Sequence, residues 1–143
     1  LFSDPPMNLF LARIDQGSLL MAGDVRMHLP HPPGHDDAAR AGSGDVAGLP
    51  EGLAVTVGFR PIHVGLRPLP GHVGLGATID LAEISGSDSY LYAQTALGEV
   101  IAQLPGVHRF DIGQRVELFV DPTGLYLFDA ADRLLHAPDE GGR

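Results

Sequence analysis

Val73-Gly74-Leu75-Gly76-Ala77-Thr78-Ile79-Asp80-Leu81 places an apolar side chain at every odd position and a small or polar one at every even position. A period of two is the mark of a β-strand with one face buried. Leu53 to Arg60 repeats it, with Val55, Val57 and Phe59 set inward and Thr56 and Arg60 outward. Ser89–Thr95, Glu99–Leu104 and Arg115–Val120 read the same way. Gly86-Ser87-Asp88, Ala96-Leu97-Gly98, Pro105-Gly106 and Asp121-Pro122 separate them as turns. The N-terminal stretch alternates less clearly. No window holds an apolar stripe of period 3.6. Short strands at this spacing predict an almost all-β domain, a sandwich or small barrel.

Composition agrees with that reading. The chain has 143 residues, including 19 Gly and 12 Pro, about a fifth of the total against about 12% in average usage. It is rich in turns and of a length for one domain, 1–143. It contains no Cys, so a thiol nucleophile, a disulfide framework and Cys-ligated zinc are excluded. All nine basic side chains are Arg. Without Lys there is no Schiff base and no phosphate-binding Walker lysine. A net charge of −9 argues against nucleic acid as a partner, which needs clustered cations. No apolar run reaches the length of a membrane span. The opening Leu1-Phe2-Ser3-Asp4-Pro5-Pro6 has neither an initiator Met nor a signal-peptide pattern, as expected for a piece of a longer protein.

One segment departs from the pattern. His31 to Gly48 is dense in Gly, Pro, Asp and Ala and reads as an irregular surface excursion. A weak internal repeat appears at an offset of 61. Gly52-x-x-Val55-x-Val57-x-x-Arg60-Pro61 aligns with Gly113-x-x-Val116-x-Leu118-x-x-Asp121-Pro122, and Val64 and Leu66 then fall on Leu125 and Leu127. Two β-strands that each end in Pro would look alike by chance; the alternative is a duplicated β-unit, with spans 8–66 and 69–135.

Few residues suggest chemistry. His28, His31, His35, Asp36 and Asp37 have metal-ligating side chains, but the prolines between them hold the chain extended and no apolar shell fixes them. A solvated loop is expected, with no metal. Ser85, Ser87 and Ser89 flank a turn and lack a G-x-S-x-G context. His63 is expected to pack or cap. Gly74-x-Gly76 lies within a strand pattern, so a bend or bulge is expected there in place of a dinucleotide fingerprint. Tyr90, Tyr92, Phe110, Phe119, Tyr126 and Phe128 are expected in the strand core, with a ligand groove as the alternative. No catalytic residue is assigned.

Several short motifs, in order, carry a family resemblance. Asp4-Pro5-Pro6-Met7-Asn8-Leu9-Phe10 resembles the S-P-x-M-N-F/L segment after the nucleotide-binding domain in ATPase subunits of sugar-importing ABC transporters of the maltose-transporter type. Gly58-Phe59-Arg60-Pro61-Ile62-His63-Val64 resembles their G-I-R-P-E-H/D, and Gly86-Ser87-Asp88-Ser89-Tyr90 their L-G-S-D/E-T. Leu104-Pro105-Gly106-Val107-His108-Arg109 and Gly113-Gln114-Arg115-Val116 are similar to V-P-G-x-H-R and P-G-x-R-V. Asp121-Pro122 through Leu127-Phe128-Asp129 resembles D-P-x-x-x-H-L-F-D. The match spans nearly the whole chain apart from His31–Gly48, and it departs at Ile62, where relatives have Glu.

The resemblance implies a C-terminal regulatory domain of such an ATPase, built of OB-fold (TOBE-type) barrels. Its implied partners are a second copy of itself, its own nucleotide-binding domain, the permease subunits through that domain, and a regulatory protein. It implies no cofactor in this chain, ATP and Mg belonging to a domain upstream. The parent would sit at the cytoplasmic face of the membrane as a peripheral subunit. The expected interaction surface is Gly58, Arg60, Pro61, Ile62 and His63 with Gly86, Ser87 and Asp88. The alternative is a TOBE-like module binding a small ligand, an oxyanion or a sugar.

Overall fold

The alternation that marks the strands in sequence also sorts their side chains in space. The computed structural model describes residues 6–29 and 48–138. It contains eleven β-strands: β1 Asn8–Asp15, β2 Ser18–Met21, β3 Val25–Met27, β4 Ala54–Phe59, β5 Val64–Gly65, β6 Val73–Ser85, β7 Asp88–Thr95, β8 Gly98–Pro105, β9 Arg115–Val120, β10 Tyr126–Phe128 and β11 Leu134–His136. Its helical content is confined to single 3-10 turns, among them Pro61–His63 and Pro122–Gly124. The protein is all-β, as the period of two predicts. The 31–48 excursion, with His31, His35, Asp36 and Asp37, falls outside the described residues except for Gly48.

Two sheets share one order. In the first it is β11-β10-β4-β1-β2-β3, and in the second β5-β9-β6-β7-β8. Each has a three-strand meander (β1-β2-β3 or β6-β7-β8) beside a strand that ends in a proline turn (β4 or β9). Each is then extended from the other half of the sequence, the first by β10 and β11 and the second by β5. Thus β10 pairs with β4 through Leu127 and Val57, while β5 pairs with β9 through Val64 and Val120. The repeat at an offset of 61 corresponds to this strand–proline turn–short strand unit. Gly52 and Gly113, which open its two copies, both have positive φ, 82° and 88°.

The chain divides into two compact units. Unit I comprises residues 6–8 with Phe59–Asp121, and unit II comprises residues 9–29, 48–58 and 122–138. These are not the contiguous spans 8–66 and 69–135. The reason is topological: each half of the sequence passes its last short strand to the other half's sheet.

Within unit I the outer strands β5 and β8 approach one another, so the five-stranded sheet nearly closes on itself. Closure removes a free sheet edge. Asn8 takes part at the β8 edge. Its side-chain carbonyl accepts from the Ile101 N–H at 2.8 Å, and its amide donates to the Ile101 carbonyl at 3.0 Å and the Phe59 carbonyl at 3.3 Å. A buried primary amide thereby satisfies edge groups as a neighbouring strand would.

Three expectations need correction. The strand starting at Val73 does not keep its odd side chains inward throughout. A bulge between Ile79 and Leu81 leaves Asp80 unpaired and reverses the phase, so Ile79 is fully buried while Leu81 is exposed. The bulge is therefore at Asp80 and not at Gly74-x-Gly76. Gly74 serves a close approach: a Cβ there would lie 2.7 Å from Glu117 Oε2 and 3.1 Å from Phe119 Cε1. Finally, Tyr90, Tyr92, Phe110, Phe119, Tyr126 and Phe128 are all only half-buried. The core is aliphatic, with Phe59 its one fully buried aromatic among the described residues.

Candidate functional site

The motifs that carry the family resemblance prove to be joints of the backbone. The Gly86–Tyr90 and Leu104–Arg109 segments are stitched together: the Gly106 N–H donates to the Ser87 carbonyl at 2.7 Å. The buried Ser89 hydroxyl donates to the Gly106 carbonyl and accepts from the His108 N–H, both at 2.8 Å. A His108 Nε2–Pro105 carbonyl contact of 2.9 Å closes the loop. Gly113 N–H donates to the Ile79 carbonyl, and Ile79 N–H to the Gln114 carbonyl. Asp121 N–H donates to the His63 carbonyl at 2.9 Å. Asp129 Oδ1 accepts from the Ala131 and Arg133 N–H groups at 2.8 Å each, and the Arg133 N–H bond holds its carboxyl below the usual range. These residues fix turns; they do not form a reaction centre.

The residues of the expected interaction surface fall in two turns and at the end of β4. The Pro61–His63 turn packs against β8, and the Gly86–Ser87 turn is bonded to Gly106 just beyond it, so both reach the same end of β8 in unit I. Arg60, Ile62, Gly86 and Ser87 are exposed, while His63 and Asp88 are half-buried. Gly58 and Pro61 are buried and present no free surface. Ile62 is 60% exposed.

Beside this region unit I holds a cavity of about 490 Å³. One wall is the loop after β5. Leu69-Pro70-Gly71-His72 forms a turn with His72 N–H donating to the Leu69 carbonyl at 3.1 Å and Gly71 at φ 81°. Pro in the second place and a positive-φ Gly in the third specify a type II turn, which returns His72 toward the barrel. Arg67, Leu66 and Leu69 line the cavity with it, as do Leu104, Pro105 and His108 from the end of β8 and the loop after it. Phe119, whose ring lies over Gly74, and Asp121 complete the lining with His63. His72 Nε2 faces Asp121 Oδ1 at 3.7 Å. His63 Nδ1 is buried without a hydrogen-bond partner, unlike any other buried side-chain nitrogen or oxygen among the described residues.

Sequence reading marked His63 and the His108 motif but missed Arg67, Leu69 and His72. The signal available was the Pro-Gly turn at 70–71, which returns His72 to the lining that Arg67 shares. Among the described residues no group of three or more His, Asp or Glu is arranged to hold a metal ion. His28 is exposed on the chain beyond β3. No described helix is long and apolar enough to cross a membrane.

With the two similar sheets and their shared joints in view, comparison with known proteins is direct. The sequence pattern of the TOBE domain matches residues 57–128, half of the chain. The chain belongs to the TOBE domain family. Relatives of this TOBE chain include the sn-glycerol-3-phosphate import ATP-binding protein UgpC of Chromobacterium violaceum, 34% identical over 93% of this chain and 33% of the relative. UgpC of Paracoccus denitrificans is 28% identical over 87% and 31%. The lactose transport ATP-binding protein LacK of Rhizobium radiobacter is 38% identical over 57% and 23%. The TOBE chain spans about a third of the length of the UgpC relatives it matches. In fold it is similar to the cytoplasmic molybdate-binding protein ModG, with a TM-score of 0.61 at 13% identity, covering 84% of this chain and 94% of ModG. The resemblance to ATP-binding subunits of sugar importers therefore stands, and the matched region is their TOBE part.

Proposed function

We propose that this chain is the regulatory, self-associating domain of the ATP-binding subunit of a carbohydrate importer. The observation that carries the reading is similarity along 93% of the chain to one third of an sn-glycerol-3-phosphate import ATP-binding protein. In that setting the chain itself hydrolyses nothing. ATP and Mg would be held by a nucleotide-binding domain elsewhere in the parent, which would also contact the permease subunits at the cytoplasmic face of the membrane. A regulatory protein is a further expected partner.

Self-association is assigned to the exposed part of the Arg60–His63 turn together with Ser87 and Asp88 in unit I. A two-fold contact between identical patches is the economical arrangement for a homodimer. The exposed Ile62 supplies an apolar centre among polar neighbours. Sedimentation velocity over a range of concentrations tests it. A monomer–dimer equilibrium weakened by Ile62→Asp is expected; a strict monomer at high concentration would contradict it.

The second reading, a small-ligand module, is favoured by the unit I cavity with its unpartnered His63 nitrogen.

A further inference from the structure

We propose that the unit I cavity binds a small organic anion, a carboxylate or phosphate monoester, with its charged group at Arg67 and His63 and its carbon skeleton against Phe119, Leu69 and Leu104. The proposal rests on the small-ligand reading and names the ligand class and its contacts. It shares His63 with the surface assigned to self-association but does not require that contact.

The polar groups of the wall decide the charge. The Arg67 side chain makes no hydrogen bond or ion pair among the described residues, although its carbonyl accepts from the Leu69 N–H, and it is exposed at the rim. His63 Nδ1 is buried and unpartnered, a condition that costs stability until a partner arrives. Asp121 supplies the one carboxylate, and it already faces His72. Arg67 is thus the one fixed positive charge in the lining, without a side-chain partner among the described residues, in a chain of net charge −9. A guanidinium presents paired N–H donors that match a carboxylate or phosphate.

The remaining lining decides the size and polarity. A cavity of about 490 Å³ has the volume of a small-molecule pocket and exceeds what a bare oxyanion fills. Leu66, Leu69, Leu104, Pro105 and Phe119 give its walls a mostly apolar surface, with no Ser or Thr hydroxyl in the lining. An inorganic oxyanion would leave that apolar surface wet. A neutral polyol would lack the charge that Arg67 is placed to meet. An organic anion uses both parts of the wall.

The test is titration of the full chain with phenyl phosphate and benzoate, followed by isothermal calorimetry and amide NMR. Inorganic phosphate, molybdate and glycerol serve as comparison arms. At least one organic anion is expected to bind tenfold or more tightly than all three, with shifts at His63, Arg67 and Phe119. Arg67→Ala, at an exposed position, is expected to weaken it by about tenfold or more, the loss of a charge-assisted hydrogen bond. Leu69→Glu is expected to abolish it, whereas Arg115→Ala on β9, outside the cavity lining, should leave it unchanged. If no probe binds, the small-ligand reading falls with the proposal. If molybdate or glycerol binds in this cavity as well as the organic anions, or Arg67→Ala has no effect, the ligand class is wrong while the reading survives.

Discussion

Arg60-Pro61-Ile62-His63 and Asp121-Pro122-Thr123-Gly124 hold the same place in the two halves of the sequence. Each follows a long strand, begins a 3-10 turn at a buried proline, and leads to a short strand in the opposite sheet. Their side chains part company there. The first turn ends in a half-buried imidazole at a cavity wall and exposes Ile62; the second ends in a buried glycine. The backbone plan is repeated, and the chemistry is not. Distinctive surface and cavity residues are thus to be sought where equivalent positions differ, which in this chain points to the first turn.

The largest effect should separate the ends of the two long strands. Phe59 and Val120 are equivalent by the offset and both fully buried. Phe59→Ala is expected to cost about 3–5 kcal/mol in urea unfolding, and Val120→Ala about 2 kcal/mol, following the volume removed. Equal costs would break the equivalence.

Asn8→Ala tests the bridged edge of unit I. It removes the partner of both Ile101 backbone groups, and about 2–3 kcal/mol of stability should be lost. Amide exchange at Ile101 should accelerate with it. Unchanged protection there would mean that the side chain does not stand in for a strand.

Gly74 and Gly76 give a smaller contrast. A methyl at Gly76 meets nothing within 4 Å, so Gly76→Ala should be neutral or stabilise by about 0.4–1 kcal/mol. At Gly74 the Phe119 ring must shift, so Gly74→Ala should destabilise by about 0.5–1.5 kcal/mol. Thermal unfolding of the pair reads the sign of each.

The smallest effect concerns acid. Burial pushes the His136 imidazole below its ordinary 6.5, so the unfolded chain takes up this proton first. The resulting stability is complete above that ordinary value and declines as pH falls from it toward the folded value. His136→Gln should flatten this part of the pH–stability curve; an unaltered slope would place the effect elsewhere.

Much of this fold was legible because five strands alternate between buried and exposed sides over most of their length. The N-terminal strand was harder to read because Leu9, Phe10, Leu11 and Ala12 run apolar on both faces, and Leu9 and Leu11 stay exposed, 56% and 79%. Leu81 misled for a different reason. A bulge changes side-chain phase without changing the apolar pattern. The aromatic side chains misled because hydrophobicity marks neither face of a half-buried sheet. At the site, His63 was visible through its motif. Arg67 and His72 were not, since only the fold of the Pro70-Gly71 turn brings them to one wall.

Hydrogen exchange of the chain at low and high concentration tests the central functional claim most directly, because it reports association and its location together. Self-association through the first proline turn predicts concentration-dependent protection at Arg60, Ile62, His63 and Ser87, with none at Thr123 and Gly124. Exchange that is independent of concentration at the first turn, or protection confined to the second, would contradict the account.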